Sequence, residues 1–237
     1  EYLQGKPLVL LSSYFKRSAL ILITKPYIKT PQDLIGKTII SSGKEDFDIN
    51  FGSLFERHGV DTNLFQFKEH HYVIAQDLNS DVDAMTAFIS DQPYLLDTMG
   101  YKYNIINPSD YGTFNLQLEL FTSQEEARVE SKRTAKFRDA TIRGWEYALA
   151  HQEEIIDIIY KKYAKTSSKG ALKNEANEIV KLILPYTYSV GYIDTNFLQK
   201  QLEIFKSKYA KQSTKTIENF IFQTEKNGRI ELSKAEH

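Results

Sequence analysis

The stretch TPQDLIGKTIISSGKEDFDINFGSLFERHGV, residues 30–60, is the part of the sequence on which the predicted fold is based. Thr30 is typical of a helix N-cap, and Pro31 suits the first turn of the short helix that follows. Residues 38–40 form a β-branched run that fits a strand covered on both faces. A longer helix is predicted at about residues 46–58. This order of elements predicts an α/β domain, in which ligands bind at the carboxyl ends of the strands.

The turn between that strand and the longer helix is the first candidate site. Ser42, Gly43 and Lys44 are suited to hold an anionic group, because backbone N–H groups at the start of a helix point outward. Glu45 and two nearby aspartates crowd the same turn, and they either complement the helix dipole or face the ligand. If they face the ligand, they favour an amine or an aminopyrimidine over a phosphate or a sulfonate.

The composition excludes several classes of protein. The chain has 237 residues with 30 basic and 31 acidic side chains, so its charge does not indicate a nucleic-acid partner. It contains no cysteine, which excludes disulfides, thiolate metal sites and cysteine nucleophiles. No Gly-rich phosphate-binding motif is present, and no cofactor is predicted.

Short apolar or alternating runs predict further strands along the chain. Because strands and helices alternate from residue 38 to residue 106, they predict parallel βαβ units. A helical turn or two is predicted at residues 72–78, and almost all of the chain from about residue 122 to about residue 210 is predicted to be helical. The predicted strands are residues 8–13, 19–24, 38–40, 65–68, 82–89, 103–106 and 116–121.

Other candidate ligand-binding residues lie in the connections between these runs. Tyr14, Phe15 and Arg17 lie between the first two strands, where the aromatic rings either stack on a flat ligand or belong to the core. Asp91 and Tyr94 follow a strand at its carboxyl end, which is the expected place for ligand contacts.

A further group of candidates follows the strand at residues 103–106. Asp110, Tyr111 and Phe114 flank the second crossing between two predicted lobes, and they either contact ligand or form the hinge. His70-His71 suggests a metal site, but neighbours on a strand point to opposite faces and no third ligand is suitably spaced. No metal site is therefore predicted.

Several segments together resemble a known family, the type 2 periplasmic binding proteins of the thiamine-pyrimidine-precursor group. Relatives in that group bind sulfonates, taurine, nitrate or riboflavin. The order and spacing of the matching segments carry the resemblance more than any one of them does. These segments are GKPLV (5–9), TPQDLIGK (30–37), DVDA (81–84), DQPY (91–94), PSDYG (108–112) and RGWEYALAH (143–151).

The resemblance implies a two-lobed α/β fold of the type 2 periplasmic-binding-protein kind, which traps a small ligand between its lobes. Lobe one comprises residues 1–27 and 107–237 and is rich in helices, and lobe two comprises residues 28–106. Family members normally begin with further strands of lobe one, so those strands are expected to be removed, disordered or supplied by another chain. A periplasmic or extracytoplasmic location is also implied.

The resemblance favours non-enzymatic binding of a small nitrogen-containing solute. Residues 217–222 and 228–233 look like those of family members that are extracytoplasmic input domains of membrane signalling proteins. The alternative is a stand-alone binding protein that delivers solute to an ABC permease. A third interpretation is an enzyme similar to thiamine-pyrimidine synthases, which use pyridoxal phosphate and a cysteine-rich motif that this chain lacks. A partner-binding domain that has lost its ligand is also consistent with the absent first segment.

Overall fold

The computed structural model describes residues 1–71, 74, 77, 81–113, 115, 117–164, 166–224 and 230–232. Among these residues the strands are β1 (Leu8–Phe15), β2 (Leu20–Thr24), β3 (Thr38–Ile40), β4 (Gln66–Lys68), β5 (Ala84–Phe88), β6 (Asn104–Ile106), β7 (Gln117–Ser123), β8 (Phe222–Thr224) and β9 (Ile230–Leu232). The α-helices are α1 (Lys44–Arg57), α2 (Gln92–Thr98), α3 (Gln124–Val129), α4 (Ser131–Ala150), α5 (Gln152–Lys162), α6 (Lys169–Ile183) and α7 (Thr195–Tyr209).

The chain divides into two compact units. The first unit contains Glu1–Lys16, Leu116–His151 and Ile183–His237, and the second contains Arg17–Asn115 and Gln152–Leu182. This division differs from the predicted lobes, whose boundaries fall after residues 27 and 106. The physical reason is that β2 hydrogen-bonds into the sheet of the second unit, and that the segment after β6 packs beside α1.

The second unit is built on a five-stranded mixed sheet with the order β4-β3-β5-β2-β6. β3 pairs in parallel with both β4 and β5, as the predicted βαβ units require. β2 pairs antiparallel with β5 and with β6, so four strands run in one direction and β2 runs in the other. The carboxyl ends of β3, β4 and β5 therefore lie at the same edge of the sheet.

Each face of this sheet has its own core. One core combines Leu22 and Ile39 with apolar side chains of α1, and the other combines Ile21, Ile40 and Leu96 of α2. Neighbouring residues of β2 and β3 thus enter different cores, because successive side chains of a strand point to opposite faces. The sequence of a strand that is buried on both faces is a continuous run of apolar residues, which explains the sequence LILIT of β2.

In its described residues, the first unit contains two antiparallel strand pairs and three α-helices. β1 pairs with β7, with an irregularity between Leu10 and Ser12, and β8 pairs with β9. Val9, Leu11, Ala127 and Ala135 form its core together with Phe222.

Side-chain caps begin two helices of the first unit. The Ser123 and Asp194 side chains accept hydrogen bonds from Glu126 N and Phe197 N, which starts α3 and α7. On α4 the Phe137 side chain is 60% exposed, whereas Thr134 and Ala135 are buried.

Candidate functional site

A pocket of about 510 Å³ lies in the second unit, where the carboxyl ends of β3, β4 and β5 meet. Ser42 follows β3, His70 follows β4 and Asp91 follows β5, so three connections supply its polar side chains. Both the position and the volume are typical of small-molecule sites in α/β proteins. The lining residues are Leu20, Ser42, Asp46, Asn50, Phe51, His70, Ile74, Asp77, Met85, Thr86, Ala87, Phe88, Asp91, Gln92 and Leu95.

The ionisable side chains that line this pocket are mainly acidic. Asp46, Asp77 and Asp91 place three carboxyl groups on its walls, and none of its lining residues in the described part of the chain is a lysine or an arginine. Apolar side chains, including those of Phe51 and Phe88, complete the walls. A pocket with this lining favours a ligand that carries positive charge or N–H donors together with an apolar or aromatic surface.

A buried carboxylate organises one wall of the pocket. Asp77 is 1% exposed, and it accepts a hydrogen bond from His71 N at 3.1 Å. The Nδ1 atoms of His71 and His70 lie 2.7 and 3.3 Å from its two carboxylate oxygens. Burial by itself raises the pKa of Asp77, but the hydrogen bonds from His71 and His70 lower it below the usual value. Asp77 is therefore ionised at neutral pH.

The two histidines were predicted to point to opposite faces of a strand, and this prediction is wrong. Both rings approach Asp77, because β4 ends at Lys68 and the histidines belong to the connection that follows it. Within the described residues, no three His, Cys, Asp or Glu side chains are arranged to hold a metal ion.

A second acidic group lies beside Phe88 at the end of β5. Gln92 Nε2 donates to Asp91 Oδ2 at 2.8 Å, and Gln92 Oε1 accepts from Phe88 N at 2.7 Å. Desolvation by the surrounding protein raises the pKa of Asp91. Desolvation and the charge of Asp91 raise the pKa of Glu175 on α6. A cationic ligand beside Asp91 would stabilise its ionised form.

Ser42 and Asp91 are the two predicted site residues that line this pocket. Gly43 occupies the N-cap of α1 with φ of 125°, a value that favours glycine. Lys44 Nζ pairs with Asp48 of its own helix, and neither Lys44 nor the exposed Glu45 lines the pocket.

The other predicted residues of the second unit lie outside the pocket lining. Tyr94 is on α2 and its hydroxyl lies beside Gly170, at the start of α6. Asp110 and Tyr111 are in a 3-10 helix after β6, and the Tyr111 ring packs edge-on against His58, with centroids 5.0 Å apart. Arg17 is exposed. Phe114 and most of residues 72–80 lie outside the described residues.

Tyr14 and Phe15 belong to the first unit, at the end of β1. Tyr14 is 3% exposed, and its ring centroid lies 5.5 Å from that of Trp145. The Phe15 ring stands nearly perpendicular to the same tryptophan, at 6.5 Å. These contacts fit the core interpretation of the two aromatics, which was one of the alternatives from the sequence.

Lys16 is a partly buried cation in the first unit that the sequence did not single out. Its Nζ donates to Ser13 O at 2.8 Å and to Tyr192 O. It also lies 5.9 and 5.8 Å from the ring centroids of Tyr188 and Tyr192. Desolvation lowers the pKa of Lys16 to about 8, although the carboxylates of Glu119 and Asp194 act in the opposite direction.

We therefore expect the Lys16 ammonium group to titrate near pH 8 in the folded protein, against 10.5 for an ordinary lysine. Between those two values the unfolded chain binds more protons than the folded chain, so the contribution of Lys16 to stability increases as pH rises through this window. NMR titration of ¹³C-methylated lysines, assigned with Lys16→Met, measures the pKa. A Lys16 midpoint near 10.5 would contradict the expectation.

Several lining residues were missed from the sequence although a signal was present. Both Asp46 and Asn50 lie in the first two turns of α1. Asp46 was one of the two aspartates expected either to complement the helix dipole or to face the ligand, whereas Asn50 was assigned only to the helix. Thr86 is a polar residue in the otherwise apolar strand AMTAF, and such a break marks a side chain that faces something other than core.

The chain is similar to a known protein family and to several solved structures. The family model described as "NMT1/THI5 like" matches residues 1–155. No curated protein matches the chain. None of the described helices is both long enough and apolar enough to cross a membrane.

Solved structures share the fold at low sequence identity. The alkanesulfonate-binding protein SsuA from Xanthomonas axonopodis pv. citri, bound to MOPS, is 14% identical with a TM-score of 0.57, over 88% of this chain and 71% of that one. A ligand-binding component of an ABC-type import system from Staphylococcus aureus, with zinc bound, is 11% identical with a TM-score of 0.60, over 92% and 72%. A DszB mutant in complex with biphenyl-2-sulfinic acid is 13% identical with a TM-score of 0.53, over 85% and 72%. The predicted type 2 periplasmic-binding-protein fold is confirmed.

Proposed function

Because the chain belongs to the NMT1/THI5-like family, we propose that it binds a small solute without transforming it, and that the pocket of the second unit holds this solute. The observation that carries the proposal is the acid-lined pocket at the carboxyl ends of three parallel strands. Its volume of about 510 Å³ suits a compact organic molecule.

The solute that we propose is a nitrogen-containing compound, such as an amine or an aminopyrimidine. Asp46, Asp77 and Asp91 would repel a sulfonate, and no lysine or arginine among the described lining residues would compensate its charge. A flat ring would find apolar contacts with Phe51, Phe88 and Leu95. The sulfonate-binding neighbours thus support the fold of this protein, while its own side chains support a different ligand class.

The role that we propose is delivery of this solute to an ABC-type importer from a periplasmic or extracytoplasmic location. It is supported by the solved structures that share this fold, which include a ligand-binding component of an ABC-type import system. The sensor-input role remains a prediction from the resemblance of residues 217–233 to signalling proteins. The enzyme alternative lacks support because the thiamine-pyrimidine synthases rely on cysteines, and this chain has none.

Calorimetric titration and thermal-shift measurements test the proposal. We expect 4-aminopyrimidine or cytosine to bind and to raise the melting temperature, whereas ethanesulfonate, a sulfonate without an amine, should do neither. Asp91→Asn should weaken binding of the amine about 10-fold, or about 1.4 kcal/mol, because a charge-assisted hydrogen bond is lost.

Glu45→Gln is the matched control for that variant. Glu45 is an exposed carboxylate at the start of α1 that does not line the pocket, so its loss should change affinity less than about 2-fold. A flat response to every amine, or equal losses for Asp91→Asn and Glu45→Gln, would overturn the proposal.

A further inference from the structure

Three side chains form a hydrogen-bonded chain along one wall of the pocket. His70 Nδ1 lies 3.3 Å from Asp77 Oδ2, and His70 Nε2 lies 2.8 Å from Thr86 Oγ1. All three residues line the pocket, and the His70 side chain is only 11% exposed. We call this set the Asp77–His70–Thr86 relay.

The relay fixes where its protons lie. A carboxylate can only accept hydrogen bonds, so the hydrogen between Asp77 and His70 must be on Nδ1 of the ring. In a neutral imidazole the other nitrogen then carries a lone pair and no hydrogen. While His70 Nε2 carries no hydrogen, it accepts its hydrogen bond from the Thr86 hydroxyl, whose only hydrogen is used in this contact.

One N–H donor of each of two neighbouring side-chain amides is engaged within the protein. Asn50 Nδ2 donates to Asp46 O at 2.9 Å, and Gln92 Nε2 donates to Asp91 Oδ2 at 2.8 Å. The oxygens of Thr86, Asp46 and Asp91 remain on the pocket walls as acceptors. The pocket thus presents mainly hydrogen-bond acceptors to a molecule that enters it.

We propose that the Asp77–His70–Thr86 relay makes Thr86 a hydrogen-bond acceptor toward the ligand, so that this residue selects N–H donors over isosteric acceptors. The inference rests on the proposed function, since it assigns specificity within the same pocket. Thr86 is the specificity-determining residue, and His70 and Asp77 are positioning residues that act through it. An oxo or ether group placed against Thr86 would face another acceptor, which leaves a polar group unpaired.

The tautomer of His70 can be measured without any ligand. Long-range ¹H–¹⁵N NMR of the ¹⁵N-histidine-labelled protein distinguishes a ring protonated on Nδ1 from one protonated on Nε2. We expect the Nδ1–H tautomer for the His70 ring, with no hydrogen on Nε2. The Nε2–H form would overturn the inference, because Thr86 would then be free to donate to a ligand.

Calorimetry with two probes tests the selection itself. Wild-type protein should bind 4-(methylamino)pyrimidine at least about 10-fold more tightly than its isostere 4-methoxypyrimidine. Thr86→Val keeps the shape but removes the acceptor, and it should reduce that ratio to below about 3-fold. Thr86→Ser keeps the hydroxyl and should restore the wild-type ratio, which a purely steric role of Thr86 would not predict.

The possible failures are distinguishable. If both pyrimidines bind with equal affinity to the wild type, the inference fails while solute binding by the pocket stands. If Thr86→Val retains the full preference for the amine, Thr86 is not its origin and the inference again fails. If no amine in the panel binds, the proposed function is contradicted, and so is the selection of N–H donors by Thr86.

Discussion

Replacing Phe47 by alanine is expected to destabilise the second unit by about 3–5 kcal/mol. Phe47 is 0% exposed on α1, and its ring centroid lies 5.0 Å from that of Phe51 and 5.6 Å from that of Phe55. Phe65 and Phe67 meet it nearly edge-on at 5.9 and 5.1 Å. Truncation would remove all four contacts and leave a cavity that the surrounding sheet and helix cannot close.

Urea unfolding, monitored by circular dichroism and by the retention of ligand binding, measures this decrease in the free energy of unfolding. Ile49→Ala on the same helix is the control, because Ile49 is 41% exposed and should cost less than about 1 kcal/mol. Equal costs for the two variants would show that the aromatic cluster does not hold α1 on the sheet.

The second large effect is expected in the first unit, where Gly191→Ala should lower the free energy of unfolding by about 2–5 kcal/mol. Gly191 has φ of 78°, and a Cβ added there would lie 2.8 Å from Ile142 Cγ1 and 3.3 Å from Ser12 Cβ. The carbonyl of Gly191 also accepts from Ser13 N at 3.3 Å, so a shift of the backbone would lengthen this bond to β1.

Gly5→Ala separates backbone strain from steric overlap. Gly5 also has a positive φ, of 98°, but an added Cβ would meet nothing within 4 Å. It should therefore show only the strain of about 1–2 kcal/mol. The difference between the two unfolding free energies measures the overlap with Ile142, and the expectation is contradicted if that difference is zero.

Local signals in the sequence predicted much of the fold. Thr38–Ile40 and the run around Ala84–Phe88 are strands of a parallel pair, because buried strands need apolar side chains on both faces. The caps at Ser123 and Asp194 were predictable because each side chain bonds to a backbone N–H only three residues away.

Features that depend on distant partners were not predictable in this way. β2 joins the sheet through β5 and β6, which lie about 60–80 residues later in the chain, and no local pattern specifies such partners. Phe47 is completely buried on α1 whereas Ile49 of the same helix is 41% exposed, a difference that depends on how the helix packs on the sheet.

The residues of the candidate site could likewise be predicted only in part from local sequence signals. Ser42 and Asp91 were predicted because the carboxyl ends of parallel strands meet at one edge of a sheet. His70 was considered only as a metal ligand, since its hydrogen bonds to Asp77 and Thr86 depend on how a connection and a strand approach one another. Such geometry follows from tertiary structure and not from spacing.

The position of β2 has a consequence for biosynthesis. β2 is made before both of its neighbours, so its two edges stay unpaired until β5 and β6 have left the ribosome. At a translation rate of about 5–20 residues per second, the roughly 80 residues from β2 to β6 take about 4–16 s. During that interval an apolar strand with open edges can associate with other nascent chains, which makes this segment a candidate for chaperone protection.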